Sequence, residues 1–182
     1  MRAGRAPALV AALGLTASVA GAAPRKAAPS RSVSPELFAG YSYAEAGDAS
    51  LHGLGLSGSY PLGATLGLVL DVSGHDGSFA GADLGQLALL AGARWSPASG
   101  RLRPFAEGLL GGVRTSVSVD VGGASFSEAD SDLGVALGGG LDYGLNTRWA
   151  LRALVHLRFV HGEGAWDADP RLAVGAVFRL GR

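Results

Sequence analysis

Beyond residue 36 the chain alternates apolar and polar side chains with a period of two. The clearest run is 65–75. There Leu66, Leu68, Leu70 and Val72 share one face, and Thr65, Gly67, Val69, Asp71, Ser73 and His75 share the other. Segment 149–159 repeats the pattern, with Trp149, Leu151, Ala153, Val155, Leu157 and Phe159 set against Arg152, Leu154, His156 and Arg158. A helix would scatter those three cations around its surface, whereas a strand lines them up. Segments 86–95, 132–143 and 171–180 behave alike, the last with Leu172, Val174, Ala176, Phe178 and Leu180 opposite Arg171 and Arg179. Segments 37–44, 51–60 and 104–115 are less regular. In the last of them Glu107 and Arg114 have opposite parity, which requires either a bulge or a place for Arg114 at a rim.

Eight such segments predict an all-β chain, and both faces need a home. The polar face carries long glycine and alanine columns with sparse charges, as in 132–142, where Asp132, Gly134, Ala136, Gly138, Gly140 and Asp142 follow one another. Such columns suit the crowded inside of a narrow barrel, with the apolar face turned to lipid. Tyr41, Tyr43, Tyr60, Trp95, Tyr143, Trp149 and Phe159 lie at or near segment ends, the depth that aromatic rings favour in a bilayer. Connections after the second, fourth and sixth segments are short. Those after the odd-numbered ones are expected to be mostly longer, the longest being 116–131. The prediction is an eight-stranded antiparallel up-and-down transmembrane β-barrel over 36–182, with both termini in the periplasm. A soluble, lipocalin-like ligand-binding barrel has the same strand count but turns its apolar residues inward.

The N-terminal region reads as an address. Arg2 and Arg5 precede an apolar run over 8–20, and Ala20-Gly21-Ala22 offers small residues for cleavage after Ala22 or Ala23. Residues 1–22 are therefore expected to be a signal peptide and 23–35, rich in Pro, Ser, Ala and basic residues, a flexible periplasmic tether. Lys+Arg and Asp+Glu number 15 each, so no basic surface points to nucleic acid. With no cysteine, disulfides, thiolate metal sites and cysteine nucleophiles are excluded.

Read this far, the chain resembles the small outer-membrane β-barrel family of OmpA/OmpX type. The resemblance rests on the strand pattern, on Arg103-Pro104-Phe105-Ala106-Glu107 leading into glycine-rich 108–112, and on Gly138-Gly139-Gly140-Leu141-Asp142-Tyr143 running toward Trp149. Gly175 and Phe178 match the closing strand of the family, while Leu180 stands where the family usually carries an aromatic. The resemblance implies an outer-membrane location, lipid and lipopolysaccharide as surroundings, and folding by the barrel-assembly machinery.

Candidate chemistry is sparse. Asp71, Arg94, Glu107, Asp142, Arg152, His156, Arg158, Arg171 and Arg179 are expected to face the lumen as a salt-bridged plug in a barrel too narrow to be an open pore. Glu45, Asp48, Asp76, Asp83, Asp120, Glu128, Asp130, Asp132, Glu163, Asp167 and Asp169 are expected to form an acidic crown on extracellular loops. Metal ligation by His161, Glu163, Asp167 and Asp169 is a weak alternative use of that crown, because the spacing is irregular. A lipid-A-modifying enzyme is the rival class, and His75-Asp76 near Ser73 and Ser78 is its best candidate constellation. The reading carried forward is a structural or surface-interaction barrel with no catalytic residue, cofactor or metal.

Overall fold

The computed structural model describes residues 34–47, 49–79, 82–97, 100–121, 124–162 and 165–181. The leader expected over 1–22, and all but the last two residues of the expected tether, lie outside them. The strands are β1 (Glu36–Ala46), β2 (Ala49–Pro61), β3 (Leu66–Phe79), β4 (Ala82–Trp95), β5 (Leu102–Val121), β6 (Ala124–Gly144), β7 (Trp149–Gly162) and β8 (Ala165–Arg179). Each pairs antiparallel with the next, and β8 pairs back on β1, closing the barrel.

Side-chain direction follows the alternation. Leu54, Leu68, Leu89, Leu137 and Val155 point outward and are half exposed or more, while Val69, Leu90, Leu109 and Leu154 on the opposite parity are buried. The inward-apolar, lipocalin-like alternative fails on this distribution, since nearly every large leucine is on the outer wall. Two aromatic girdles bound the apolar band. Tyr60, Trp95, Tyr143, Trp149 and Phe178 mark the end where β1 begins and β8 finishes, the terminal end of the barrel, with the Trp149 and Phe178 rings 4.9 Å apart. Tyr41, Tyr43, Phe159 and Trp166 mark the other end. From Trp149 to Phe159 β7 advances about 33 Å at about 3.3 Å per residue, or about 25 Å of height at a tilt near 40°. That is the height of the lipid-facing band of an outer-membrane barrel.

Arg114 is resolved without a bulge. Pairing of β5 with β4 and β6 runs unbroken through it, opposite Leu87 and Ser131, so it faces outward where the band gives way to serines. There its long stem can lie on apolar surface with its head in water. β3 starts at Leu66, which leaves Thr65 in a turn rather than at the first lumenal position.

The connections differ from expectation. At the end away from the termini only two residues separate β1 from β2, β3 from β4, β5 from β6 and β7 from β8; the connections at the terminal end, 62–65, 96–101 and 145–148, are longer. Of the expected loop 116–131, residues 116–121 and 124–131 are strand, and β5 and β6 stay in register from Leu102↔Tyr143 to Val121↔Ala124. Above the apolar band both sides of a hairpin meet water, so the alternation of apolar and polar residues fades while the backbone ladder continues. Gly47, at φ 59°, supplies the left-handed backbone that a two-residue hairpin turn needs. At the terminal end, the Asn146 side chain accepts hydrogen bonds from the Arg148 and Trp149 amides (2.9 and 2.8 Å), fixing the turn into β7.

Candidate functional site

The lumen is filled in tiers by the inward residues of all eight strands. Next to the terminal end, Asp142 on β6 stands in register between Arg103 on β5 and Arg152 on β7. Arg152 grips it through two nitrogens, Nε to Oδ1 at 2.7 Å and Nη2 to Oδ2 at 2.9 Å. Glu36, at the start of β1, accepts from Arg103 (2.9 Å), Arg152 (3.2 Å) and Arg179 (3.2 Å). The guanidinium groups of Arg94 and Arg152 both lie over the Phe105 ring, 4.4 and 4.8 Å from its centroid.

One tier up, Glu107 accepts from Arg94 Nε (2.8 Å) and from His156 Nε2 (2.6 Å). The second contact depends on a glycine. Gly138 is the β6 register partner of both Glu107 and His156. A Cβ there would fall on the Val155 carbonyl and within 2.6 Å of the His156 ring, so only glycine lets the two side chains meet across β6. Arg171 then joins Asp71 (2.7 Å), Ser42 Oγ (2.8 Å) and His156 Nδ1 (3.5 Å), with its Nη2 2.5 Å from where a Cβ of Gly55 would be. Nearest the hairpin end, Arg158 donates to Gln86 Oε1, and Gln86 Nε2 donates to Asp169 Oδ2 at 3.5 Å. Between the charges lie apolar clusters, one built on Phe38, Phe105, Leu154 and Val177 and another on Val69, Leu90 and Leu109. Arg158, Arg171, His156 and Asp71 are each at most 1% exposed.

All nine residues assigned to the lumen from the sequence have inward parity, and Arg179 is held at the mouth by Glu36. The network also includes Glu36, Ser42, Gln86, Arg103 and Asp169. Glu36 and Arg103 lie at strand starts, where few neighbours define a parity. Asp169 is a correction: it is buried in the lumen and does not belong to the crown. Its signal was present, because Trp166, Ala168, Pro170 and Leu172 continue the outward parity of β8 and put Asp169 on the inner one.

Of the other crown acids, Glu45, Asp76, Asp83, Glu128, Asp130 and Asp167 are exposed at the hairpin end and Asp132 is partly buried. Asp48, Glu163 and the side chain of Asp120 lie outside the described residues. No group of three His, Asp or Glu side chains among the described residues is placed to hold a metal ion. His75 and Asp76 point to opposite faces of the wall. His75 is buried and shares a 2.8 Å hydrogen bond with Ser42 Oγ, whereas Asp76 is exposed.

A closed eight-stranded up-and-down barrel, leucine-faced outside and ion-paired inside, is the architecture of the small outer-membrane barrels. Among solved structures the chain is similar to Ail, the attachment invasion locus protein of Yersinia pestis, with a TM-score of 0.62 and 16% identity over 81% of this chain and 99% of that one. Neisserial surface protein A gives 0.61 and 17% over 80% and 96%. The outer membrane protein OprG of Pseudomonas aeruginosa gives 0.56 and 15% over 84% and 98%. At these identities the likeness is one of fold. No family model and no curated protein sequence matches the chain.

Proposed function

We propose that the protein is an integral outer-membrane barrel, exported by a leader over 1–22. In this reading its termini face the periplasm, its lumen is closed to ions, and it works by presenting a strand edge to the outside. The observation that carries this reading is the β5–β6 hairpin. Pairing of β6 with β7 stops at Leu133↔His161, while pairing with β5 continues to Val121↔Ala124. Residues 124–132 thus have a strand partner on one side alone among the described residues, over roughly 30 Å at about 3.3 Å per residue. An unpaired edge of that length is a template for an added strand.

Charge suggests the partner. Ail has been solved with the heparin analogue sucrose octasulfate, a polyanion. Here Glu128, Asp130 and Asp132 border the free edge, and Glu45, Asp76, Asp83 and Asp167 are exposed at the same end of the barrel. A polyanion would be repelled, so an extended basic segment of another protein is the partner this end favours. The barrel would be inserted by the assembly machinery into lipid and lipopolysaccharide. A structural lumen is favoured over an enzymatic one because Ser42 and His75 are sealed inside it with Arg171 donating to the same hydroxyl.

Fractionation of expressing cells tests the location, with electrophoresis before and after boiling. An outer-membrane band whose mobility changes on heating is expected, and a soluble band with no change would overturn the reading. Binding of a lysine-rich extended peptide to vesicle-embedded barrel, weakened by Glu128→Lys with Asp130→Lys, tests the edge; stronger binding of heparin than of the peptide would overturn that part.

A further inference from the structure

The two ends of the barrel carry opposite charge. Among the described residues every exposed carboxylate lies at the hairpin end, while the terminal end has exposed Arg101 and Arg148 and no exposed acid. Those two arginines belong to the turns 96–101 and 145–148, which are tied together where the Gly144 amide donates to the Arg101 carbonyl at 2.7 Å. On the far side of the second turn the Arg179 amide donates to the Arg148 carbonyl at 2.8 Å, and Arg179 Nη1 donates to the Asn146 carbonyl at 3.3 Å. Arg101 and Arg179 thus flank a turn that itself carries Arg148. Arg179 is answered by Glu36, whereas Arg101 and Arg148 have no ion-pair partner among the described residues. Because the Asn146 side chain fixes the backbone at Arg148 and Trp149, this turn is ordered before any ligand arrives.

Depth decides which anion can reach these charges. Arg148 directly precedes the girdle residue Trp149, and Arg101 directly precedes Leu102, the register partner of Tyr143. Leu102, Tyr143, Leu145 and Trp149 are each about half exposed on the outer wall. One residue is about 3.3 Å of strand, so both arginines lie where hydrocarbon gives way to lipid phosphates. Arginine at that depth rests its stem on apolar surface and keeps its head in the headgroup layer. An acidic protein would have to displace the leaflet to touch both the arginines and the apolar rim beside them. An anionic phospholipid offers a phosphate at one level and acyl chains at the next.

We propose that the 145–148 turn and Arg101 form a docking site for an anionic phospholipid of the periplasmic leaflet. Its headgroup pairs with Arg101 and Arg148, and its chains lie along Leu102, Tyr143 and Leu145. The site rests on the transmembrane reading given above, with this end toward the periplasm.

Tryptophan fluorescence tests it, since the chain has three tryptophans and they report on opposite ends. Trp95→Phe with Trp166→Phe leaves Trp149 as the reporter beside the site; Trp95→Phe with Trp149→Phe leaves Trp166 at the hairpin end. Each barrel is reconstituted in phosphatidylcholine vesicles containing a small fraction of either phosphatidylglycerol or phosphatidylcholine brominated on its acyl chains. Quenching of Trp149 is expected to show about a tenfold preference for phosphatidylglycerol, and quenching of Trp166 none. In the Trp149 reporter, Arg101→Gln and Arg148→Gln should each lower the preference about threefold and together remove it, while Arg101→Lys with Arg148→Lys should keep it. Raising salt should weaken the preference without any substitution in the site. Soluble glycerol phosphate should not compete, because it gains nothing from the apolar rim. The heat-modifiable band in phosphatidylcholine alone separates the two readings. Its absence from the parent barrel would overturn the transmembrane reading, and its presence without a preference at Trp149 would overturn this site. An equal preference at Trp166, a preference indifferent to salt, an unchanged preference in the folded double glutamine variant, or displacement by glycerol phosphate would each overturn the site as well.

Discussion

Arg171 on β8 meets Asp71 on β3 across the lumen, Nη1 to Oδ1 at 2.7 Å, although their strands are not neighbours in the sheet. The pair is a strut between walls rather than a rung of a ladder. Removing one partner leaves a buried charge uncompensated, so Asp71→Asn should cost about 3–5 kcal/mol. Replacing both, as Asp71→Leu with Arg171→Met, should return most of that loss. Urea unfolding in vesicles, read by the heat-modifiable band, checks both, and a double variant no better than the single one would contradict the strut.

The outer wall yields a depth-dependent expectation. Val155 lies midway between the girdle residues Trp149 and Phe159 on β7 and is about half exposed. Val155→Arg should cost about 2–4 kcal/mol, whereas Ser78→Arg, outward but above the band and opposite Asp83, should cost about 0–1. Equal losses from the two would mean that the band is not in contact with lipid.

Glycines on the two faces should respond in opposite senses. Gly138→Ala drives a methyl into the Val155 carbonyl and the His156 ring and should destabilise by about 1–3 kcal/mol. It should also separate His156 from Glu107. Gly74→Ala meets nothing nearer than a Leu87 methyl at 4.0 Å, so it should be neutral or stabilise by about 0.5–1 kcal/mol through reduced chain entropy. Thermal or urea midpoints of the two variants decide the matter.

Amide exchange reports on the free edge. Along 133–143 of β6 both flanking strands accept hydrogen bonds, so protection should be continuous. Along 124–132 it should alternate, because an antiparallel pair engages every second residue on one side. Continuous protection there, measured on the barrel alone, would show that the edge is covered.

Much of this fold is legible in the sequence. Where one face meets lipid and the other a packed lumen, as at 149–159, a single slip of register would turn Arg152, His156 and Arg158 to lipid and Leu151 and Leu157 to the lumen, so the pattern fixes the register. That contrast vanishes above the band. Ser116, Val117 and Ser118 look like loop when hydropathy is the signal, yet their backbone is paired strand. The lumenal partners were harder still. Parity puts Glu107 and His156 on the inner wall, but that they touch depends on the missing side chain of Gly138 between them. Asp71 meets Arg171 because the barrel closes, a relation carried by no local stretch of sequence.

Closure also has a consequence in time. The seam joins the first strand to the last, with Gly40 opposite Gly175 and so close that a Cβ on Gly175 would lie on the backbone of Ala39. Until β8 docks on β1, β1 has no second partner, and Glu36 lacks Arg179. The unfinished barrel must therefore be kept from pairing with strangers for as long as the seam is open. A missing or damaged final strand would leave an unsealed sheet with two live margins rather than a slightly smaller barrel.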